Sequence, residues 1–293
     1  MSKTSFRLAL AGLAAGLSLA LASGAVQAAG DRVIPPAVSW SFSGPFGTFD
    51  RAQLQRGFKV YKEVCASCHS MSLLRFRNLS QPGGPEFTPG QVTALAATYQ
   101  IKDGPNESGE MFDRPGRPAD AFPAPFANEQ AARAANGGAY PPDLSVIAKA
   151  RTYERGFPKF VFDIFTQYQE QGPDYLHALL TGYRDPPKDF PPLLPGQNYN
   201  TYMPGHLLAM PKPLNDGQIE YPKGPDGKSP VPETVDQYSR DVSAFLVWAA
   251  EPHMEARKRL GMQVMIFLAI FAGLLYYTKK KIWSRLPDGS PAH

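Results

Sequence analysis

The chain has two cysteines, and both fall within five residues: Cys65-Ala66-Ser67-Cys68-His69. Two thiols at this spacing with a histidine directly after them form the attachment signature of c-type haem. The chemistry explains the spacing. Each thiol adds across a haem vinyl group and becomes a thioether, and the next residue then lies under the iron, where a neutral imidazole binds it. Cys65 and Cys68 are therefore expected to hold one haem c, with His69 as an iron ligand. Two other uses of the cysteines fit less well. A redox C-x-x-C opens a helix within a βαβ pattern, which is absent here. A zinc site takes four ligands, and His177, His206, His253 and His293 show no pairing with each other or with the motif.

The flanking sequence predicts helices that could carry such a group. Before the motif, Asp50 and Gln53 resemble a capping box, and Leu54, Phe58, Tyr61 and Val64 recur on one helical face. Gly57, beside Phe58, would let a second helix approach closely. The expected partner is a helix over residues 234–251, opened by Thr234 and Gln237 and ended by Pro252. Val235, Tyr238, Val242, Phe245 and Trp248 line one of its faces. A first helix packed on a last one around a haem is the plan of small cytochrome c domains. Thirty prolines and 26 glycines predict long loops and little continuous sheet between them. The fold class expected is mainly α: a cytochrome c-type haem domain with long Pro/Gly-rich loops plus one C-terminal transmembrane helix.

Two segments address the chain to a membrane. Residues 1–28 read as a cleaved secretory signal: Lys3 and Arg7, an apolar run over 8–22, then Val26-Gln27-Ala28. Residues 260–278 carry no charge and are long enough to span a bilayer core. Tyr276, Tyr277 and Trp283 suit an aromatic belt, and Lys279-Lys280-Lys281 suits a stop-transfer cluster. Arg257, Lys258 and Arg259 precede the span, so the basic flanks nearly balance. The leader decides the orientation. The expected organisation is a periplasmic haem domain at 29–256, an anchor with basic flanks at 257–281, and a cytoplasmic tail at 282–293. This is a single-pass protein of the inner (cytoplasmic) membrane, in contact with lipid.

An electron-transfer haem usually has both axial positions filled, and a methionine thioether raises its potential. Met71 is too near His69 to reach the opposite haem face, Met254 lies by the anchor, and Met111 sits in an acidic, Gly- and Pro-rich stretch. Met203 and Met210, each followed by proline, remain about equal, with His206 as a further candidate. Charge adds one constraint. Residues 29–256 carry 21 basic and 25 acidic side chains, a net of −4 despite the chain's +4. That suits a basic protein partner better than nucleic acid, and no nucleic-acid partner is expected. Asp103, Glu107, Glu110, Asp113 and Asp120 form an acidic stretch that could attract one.

Longer stretches resemble the cytochrome c1 family, the haem subunits of cytochrome bc1 complexes (ubiquinol–cytochrome c reductases), in an alphaproteobacterial form. They are Asp103-Gly104-Pro105-Asn106, Arg114-Pro115-Gly116, Asn136-Gly137-Gly138-Ala139, Pro141-Pro142-Asp143-Leu144-Ser145, Leu180-Thr181-Gly182-Tyr183 and Trp248-Ala249-Ala250-Glu251-Pro252. The haem motif alone names only the superfamily; the last two proline-bearing stretches are more specific. The family's aromatic-Pro-Gly turn matches Tyr202-Met203-Pro204-Gly205, and its ligand segment matches Met210-Pro211-Lys212-Pro213, so the resemblance selects Met210 as second iron ligand. It also implies that Arg151 meets a haem propionate, that Tyr175 lies near the haem, and that Asn136 and Pro142 belong to the haem wall. Some relatives brace the loop before the methionine with a disulfide. Here both cysteines are committed, so residues 185–202 are expected to rely on their prolines.

The resemblance implies an electron carrier working with cytochrome b, the Rieske iron–sulfur protein and a soluble or membrane-bound cytochrome c, in a dimeric complex. It breaks no substrate bond itself. A membrane-tethered cytochrome subunit of another respiratory enzyme, such as a terminal oxidase, is the main alternative. A haem catalyst with an open iron site and a non-redox structural subunit are weaker ones.

Overall fold

The computed structural model describes residues 33–153, 157–166, 171–225, 227 and 229–284. The expected signal, 1–28, and the tail from 285 onward lie outside the described residues.

Helix α1 (Arg51–Glu63) runs straight into a 3-10 turn, Cys65–Ser67, that carries the motif. Asp50 caps it, accepting from the Gln53 N–H at 3.1 Å. The reciprocal half of the expected capping box is not made, because the Asp50 N–H is donated to Ser41 Oγ at 3.2 Å. Then come α2 (Pro89–Ala97), an antiparallel hairpin of β1 (Gln100–Asp103) and β2 (Phe112–Pro115), and α3 (Glu129–Ala135). A short α4 (Ile147–Ala150), α5 (Lys159–Thr166) and α6 (Gln171–Thr181) follow. The two-residue strands β3 (Asn198–Tyr199) and β4 (Leu207–Leu208) pair across the loop between Tyr199 and Leu207. The chain closes with α7 (Val235–Ala250) and α8 (Met254–Trp283). The class is the mainly helical one expected, with sheet confined to two small hairpins among the described residues.

The core centres on the crossing of α1 and α7. Gly57 makes it possible: a Cβ there would lie 2.1 Å from the Asp241 carbonyl oxygen and 2.7 Å from Phe245 Cβ. Around it Phe58 and Tyr61 meet the Phe245 ring at 5.7 and 5.9 Å between centroids. Trp248 lies against Gly84, where a Cβ would come within 2.8 Å of the indole. One polar knot sits inside this apolar crossing. The fully buried Asp241 carboxylate accepts from Arg56 Nε at 2.8 Å, Tyr221 Oη at 2.8 Å and Gln237 Nε2 at 2.9 Å.

Helix α8 extends about 45 Å at 1.5 Å per residue. Its apolar window has a mean hydropathy of 1.9, and none of that window is buried in the protein. It begins at Met254, before the apolar run, and its first turns are latched to the rest of the fold. Arg51 pairs with Glu255 at 2.7 Å, Lys258 Nζ donates to the Phe42 carbonyl at 2.6 Å, and Glu251 pairs with both Lys149 and Arg257.

Candidate haem site

The motif is shaped by its own backbone. The N–H groups of Cys68 and His69 both donate to the Cys65 carbonyl, at 3.1 and 2.9 Å, which winds the two thiols and the imidazole into one tight turn. Burial pushes the Cys65 thiol up to about 12, with Cys68 adding to the shift. A redox dithiol needs the opposite, a depressed thiol.

His69 is held for a specific task. Its Nδ1 lies 2.8 Å from the Pro142 carbonyl oxygen. A carbonyl only accepts, so Nδ1 carries the proton and Nε2 keeps its lone pair for a metal. Burial lowers the His69 pKa, and the Pro142 hydrogen bond offsets part of that, so the ring is neutral at neutral pH.

The segment behind His69 is pinned by one carboxylate. Asp143 accepts from the Ser70 hydroxyl at 2.8 Å and from the N–H groups of Ser72 and Ser145 at 2.9 and 2.8 Å. Partial burial opposes its charge, but the hydrogen bonds from Ser145 and Ser72 prevail and hold the carboxyl well below the usual range. The Leu144 N–H donates to the Ser70 carbonyl at 2.9 Å, so residues 142–145 and 69–73 run as one tied pair. Asn136 ends α3: its Nδ2 donates to the Ala132 carbonyl at 2.7 Å, and Gly137 and Gly138, both at positive φ, turn the chain toward Pro141 and Pro142.

The same strip of chain leads from Pro142 to a cavity of about 440 Å³. Its walls are Val33 from the N-terminal arm, Ala150 to Thr152 after α4, Tyr175 of α6, and Tyr202 to Pro204 of the methionine loop. Of the expected site residues, Arg151 and Tyr175 line it. Met203 lines it too, with its sulfur 3.6 Å from the Tyr175 hydroxyl. Met210 is half-buried outside this lining, and its backbone carbonyl accepts from the Tyr183 hydroxyl at 3.1 Å. His206 is engaged within the loop: its Nδ1 sits 3.2 Å from the Asn200 carbonyl, and its ring stacks on Tyr199 at 5.4 Å.

Two residues that organise these walls carried no sequence signal. Asn200 is fully buried; it donates to the Leu179 carbonyl at 2.7 Å and accepts from the Tyr202 and Met203 N–H groups. The loop expected to rely on its prolines is also braced by this asparagine and by Phe190, whose ring meets Tyr199 edge-on at 5.0 Å. Asp174 is the other, buried beside Tyr175.

These residues fit a covalent haem. Two thiols and a neutral imidazole with a free Nε2 share one turn, and a cavity with a guanidinium at its wall lies farther along the strip tied to it. Among the described residues no group of three or more His, Cys, Asp or Glu side chains gathers as a metal cluster.

The sequence matches the cytochrome C1 family over residues 40–286. It is 63% identical to "Cytochrome b/c1" of Bradyrhizobium diazoefficiens over 250 residues, covering 85% of this chain but only 36% of that longer protein. It is 49% identical to "Cytochrome c1" of Blastochloris viridis over 282 residues, 96% of this chain and 97% of the relative. It is 42% identical to "Cytochrome c1, heme protein, mitochondrial" of Saccharomyces cerevisiae, over 90% of this chain and 77% of the relative. With this likeness over nearly the whole chain, and a site built for one covalent haem, the protein belongs to the cytochrome c1 family, the haem subunits of the cytochrome bc1 complex.

Proposed function

We propose that Cys65 and Cys68 hold the haem, that His69 and Met210 are its axial ligands, and that the chain is the electron-carrying subunit between a Rieske iron–sulfur protein and a cytochrome c. The observation that carries this is the His69–Pro142 hydrogen bond, which leaves Nε2 free on the turn formed by the two cysteines. When bound, the haem supplies one-electron redox chemistry, and quinol oxidation belongs to the cytochrome b subunit. The chain's own residues fix, tune and present it. Pro142 and Asp143 orient the imidazole. Tyr183 holds the backbone of Met210, and the resemblance of Met210-Pro211 to the family's ligand segment favours it over Met203. Arg151 offers a cation to a propionate, and Tyr175 and Asn136 shape the walls.

The features of α8 support the expected membrane arrangement. Arg257 is paired to Glu251 and Lys258 is capped by backbone carbonyls, so both are drawn into the haem domain. The Lys279-Lys280-Lys281 cluster then dominates the charge of the other end, which supports, with the expected leader, a cytoplasmic tail and a periplasmic haem domain. A leader at 1–28, lipid around α8 and a dimeric complex complete the reading. The docking surface for a basic partner is narrower than the acidic stretch suggested. Arg114 bridges Asp103 and Asp120, leaving Glu107, Glu110 and Asp113 exposed on and around the β1–β2 hairpin.

The test is purification of the intact complex. Co-purification with a cytochrome b and an iron–sulfur protein is expected, and their absence would favour another respiratory enzyme. Met210→Leu should lower the haem potential sharply, because a thioether ligand is lost. A parental potential in that variant and a collapse in Met203→Leu would move the ligand to Met203.

A further inference from the structure

The cavity beside Arg151 and Tyr175 has walls from four separate stretches of chain, and one buried carboxylate ties three of them together. Asp174 lies in the first turn of α6 and is fully buried. Its Oδ1 accepts from the Trp40 indole N–H at 2.8 Å and from the Val38 N–H at 3.1 Å. The N-terminal arm, whose Val33 lines the cavity, thus hangs on this oxygen. Its Oδ2 lies 3.5 Å from the Tyr153 hydroxyl, at the outer reach of a hydrogen bond, two residues from Arg151. The next residue in α6, Tyr175, is itself a wall.

The seat of α6 reinforces this arrangement. A Cβ on Gly172 would lie 1.8 Å from the Ala148 carbonyl oxygen and 3.3 Å from that of Arg151. Thr152 Oγ1 donates to Gln171 Oε1 at 2.9 Å. Asp174 is thus a fixed point against which the arm and the Arg151 strip are both positioned. A carboxylate placed only for solubility would face water. Burying one carries a large desolvation cost, offset here by donors from separate segments.

We propose that Asp174 is a positioning residue of the haem pocket: it sets Arg151 against Tyr175 and holds the N-terminal arm closed over the cavity. This rests on the reading of that cavity as the place of a haem edge. Asp174→Ala, Asp174→Asn and Trp40→Phe, each in the intact membrane complex, test it by three readouts: the haem midpoint potential, the ferric methionine-to-iron charge-transfer band, and the rate of carbon monoxide binding to the reduced protein. Asp174→Ala should shift the potential and speed carbon monoxide binding on the order of ten-fold, because the arm and the Arg151 strip lose the hydrogen bonds that fix them. Asp174→Asn keeps an oxygen for Trp40 and Val38 and should restore most of the parental values. Trp40→Phe removes one donor and should reproduce part of the change.

Asp174→Ala with a lowered melting temperature but parental potential and carbon monoxide rate would mean an ordinary fold contact and would overturn the proposal. So would an asparagine variant that rescues nothing. Should the alanine variant fail to accumulate, a Trp40→Phe protein with fully parental readouts overturns it equally. The underlying site reading fails in a different way, by absence of the charge-transfer band in the parent or by no response to Arg151→Ala.

Discussion

The α1–α7 crossing and the loops around the haem site are held by different means. At the crossing, apolar side chains from two long helices interdigitate, and the single polar knot on Asp241 is surrounded by them. In the loops, short segments without regular structure are pinned one by one to polar hubs: Asp143 for the His69 strip, Asn200 for the methionine loop, Asp174 for the cavity walls. The crossing spreads its stability over many contacts, whereas the loops concentrate theirs on a few hydrogen bonds to backbone. A rigid frame can thus carry loops whose geometry depends on individual side chains.

The largest effect should come from the knot in the frame. Asp241→Ala leaves Arg56 and Tyr221 without their partner in a dry site, and about 3–5 kcal/mol of stability should be lost, measured by chemical denaturation. A loss under ~1 kcal/mol would show that the apolar contacts alone hold the crossing. Gly57→Ala comes next. Its new Cβ would lie 2.1 Å from a backbone oxygen, so the helices must separate, at the ~3 kcal/mol end of overpacking costs or beyond.

The loops should respond less in stability and more in the site. Asp143→Ala frees three donors and should cost about 1–3 kcal/mol while shifting the haem potential; an unchanged potential would break the link drawn from Asp143 to His69. Its pH signature is also fixed in sign. The folded carboxyl lies below its unfolded value, so its contribution is present above about pH 4 and lost as the solution is acidified through the folded pKa.

His177 bridges the two regions. Its Nε2 donates to Asp236 at 2.9 Å, linking α6 to α7, and its buried Nδ1 has no hydrogen-bond partner among the described residues. Burial lowers its pKa, more than Asp236 raises it, with Arg240 lowering it further and Asp174 opposing. The unfolded chain then binds a proton first as the pH falls. Stability should be full above about pH 6.5 and decline below it by up to ~1.4 kcal/mol per pH unit until the folded pKa is reached. His177→Gln should flatten this slope in pH-dependent denaturation; an unaltered slope would assign it elsewhere. The smallest effect is expected at Lys59→Ala, whose exposed pair with Glu63 should contribute about 0–0.5 kcal/mol.

Much of this architecture is legible in the residues themselves. The haem turn follows from Cys65-Ala66-Ser67-Cys68-His69, because thioether chemistry permits few spacings. The two crossing helices follow from a 3.6-residue apolar period with a glycine at the contact, and α8 follows from its length without charge. These are local or periodic signals, and the close approach of α7 to Gly57 is as the sequence reading anticipated. The hubs are different. Asp143, Asn200 and Asp174 are ordinary polar residues in Pro- and Gly-rich stretches, and no pattern marks them as buried. Their partners lie far along the chain, 134 residues away for Asp174 and Trp40. The same holds for Pro142, which the family resemblance placed in the haem wall but whose carbonyl only the fold brings to the His69 ring. The sequence by itself determined that a haem is carried, on which helices, and beside which membrane anchor. Only the tertiary structure decided which nitrogen of His69 is left free of the backbone and which carboxylates tie the loops together, because a hydrogen bond depends on where two distant segments meet.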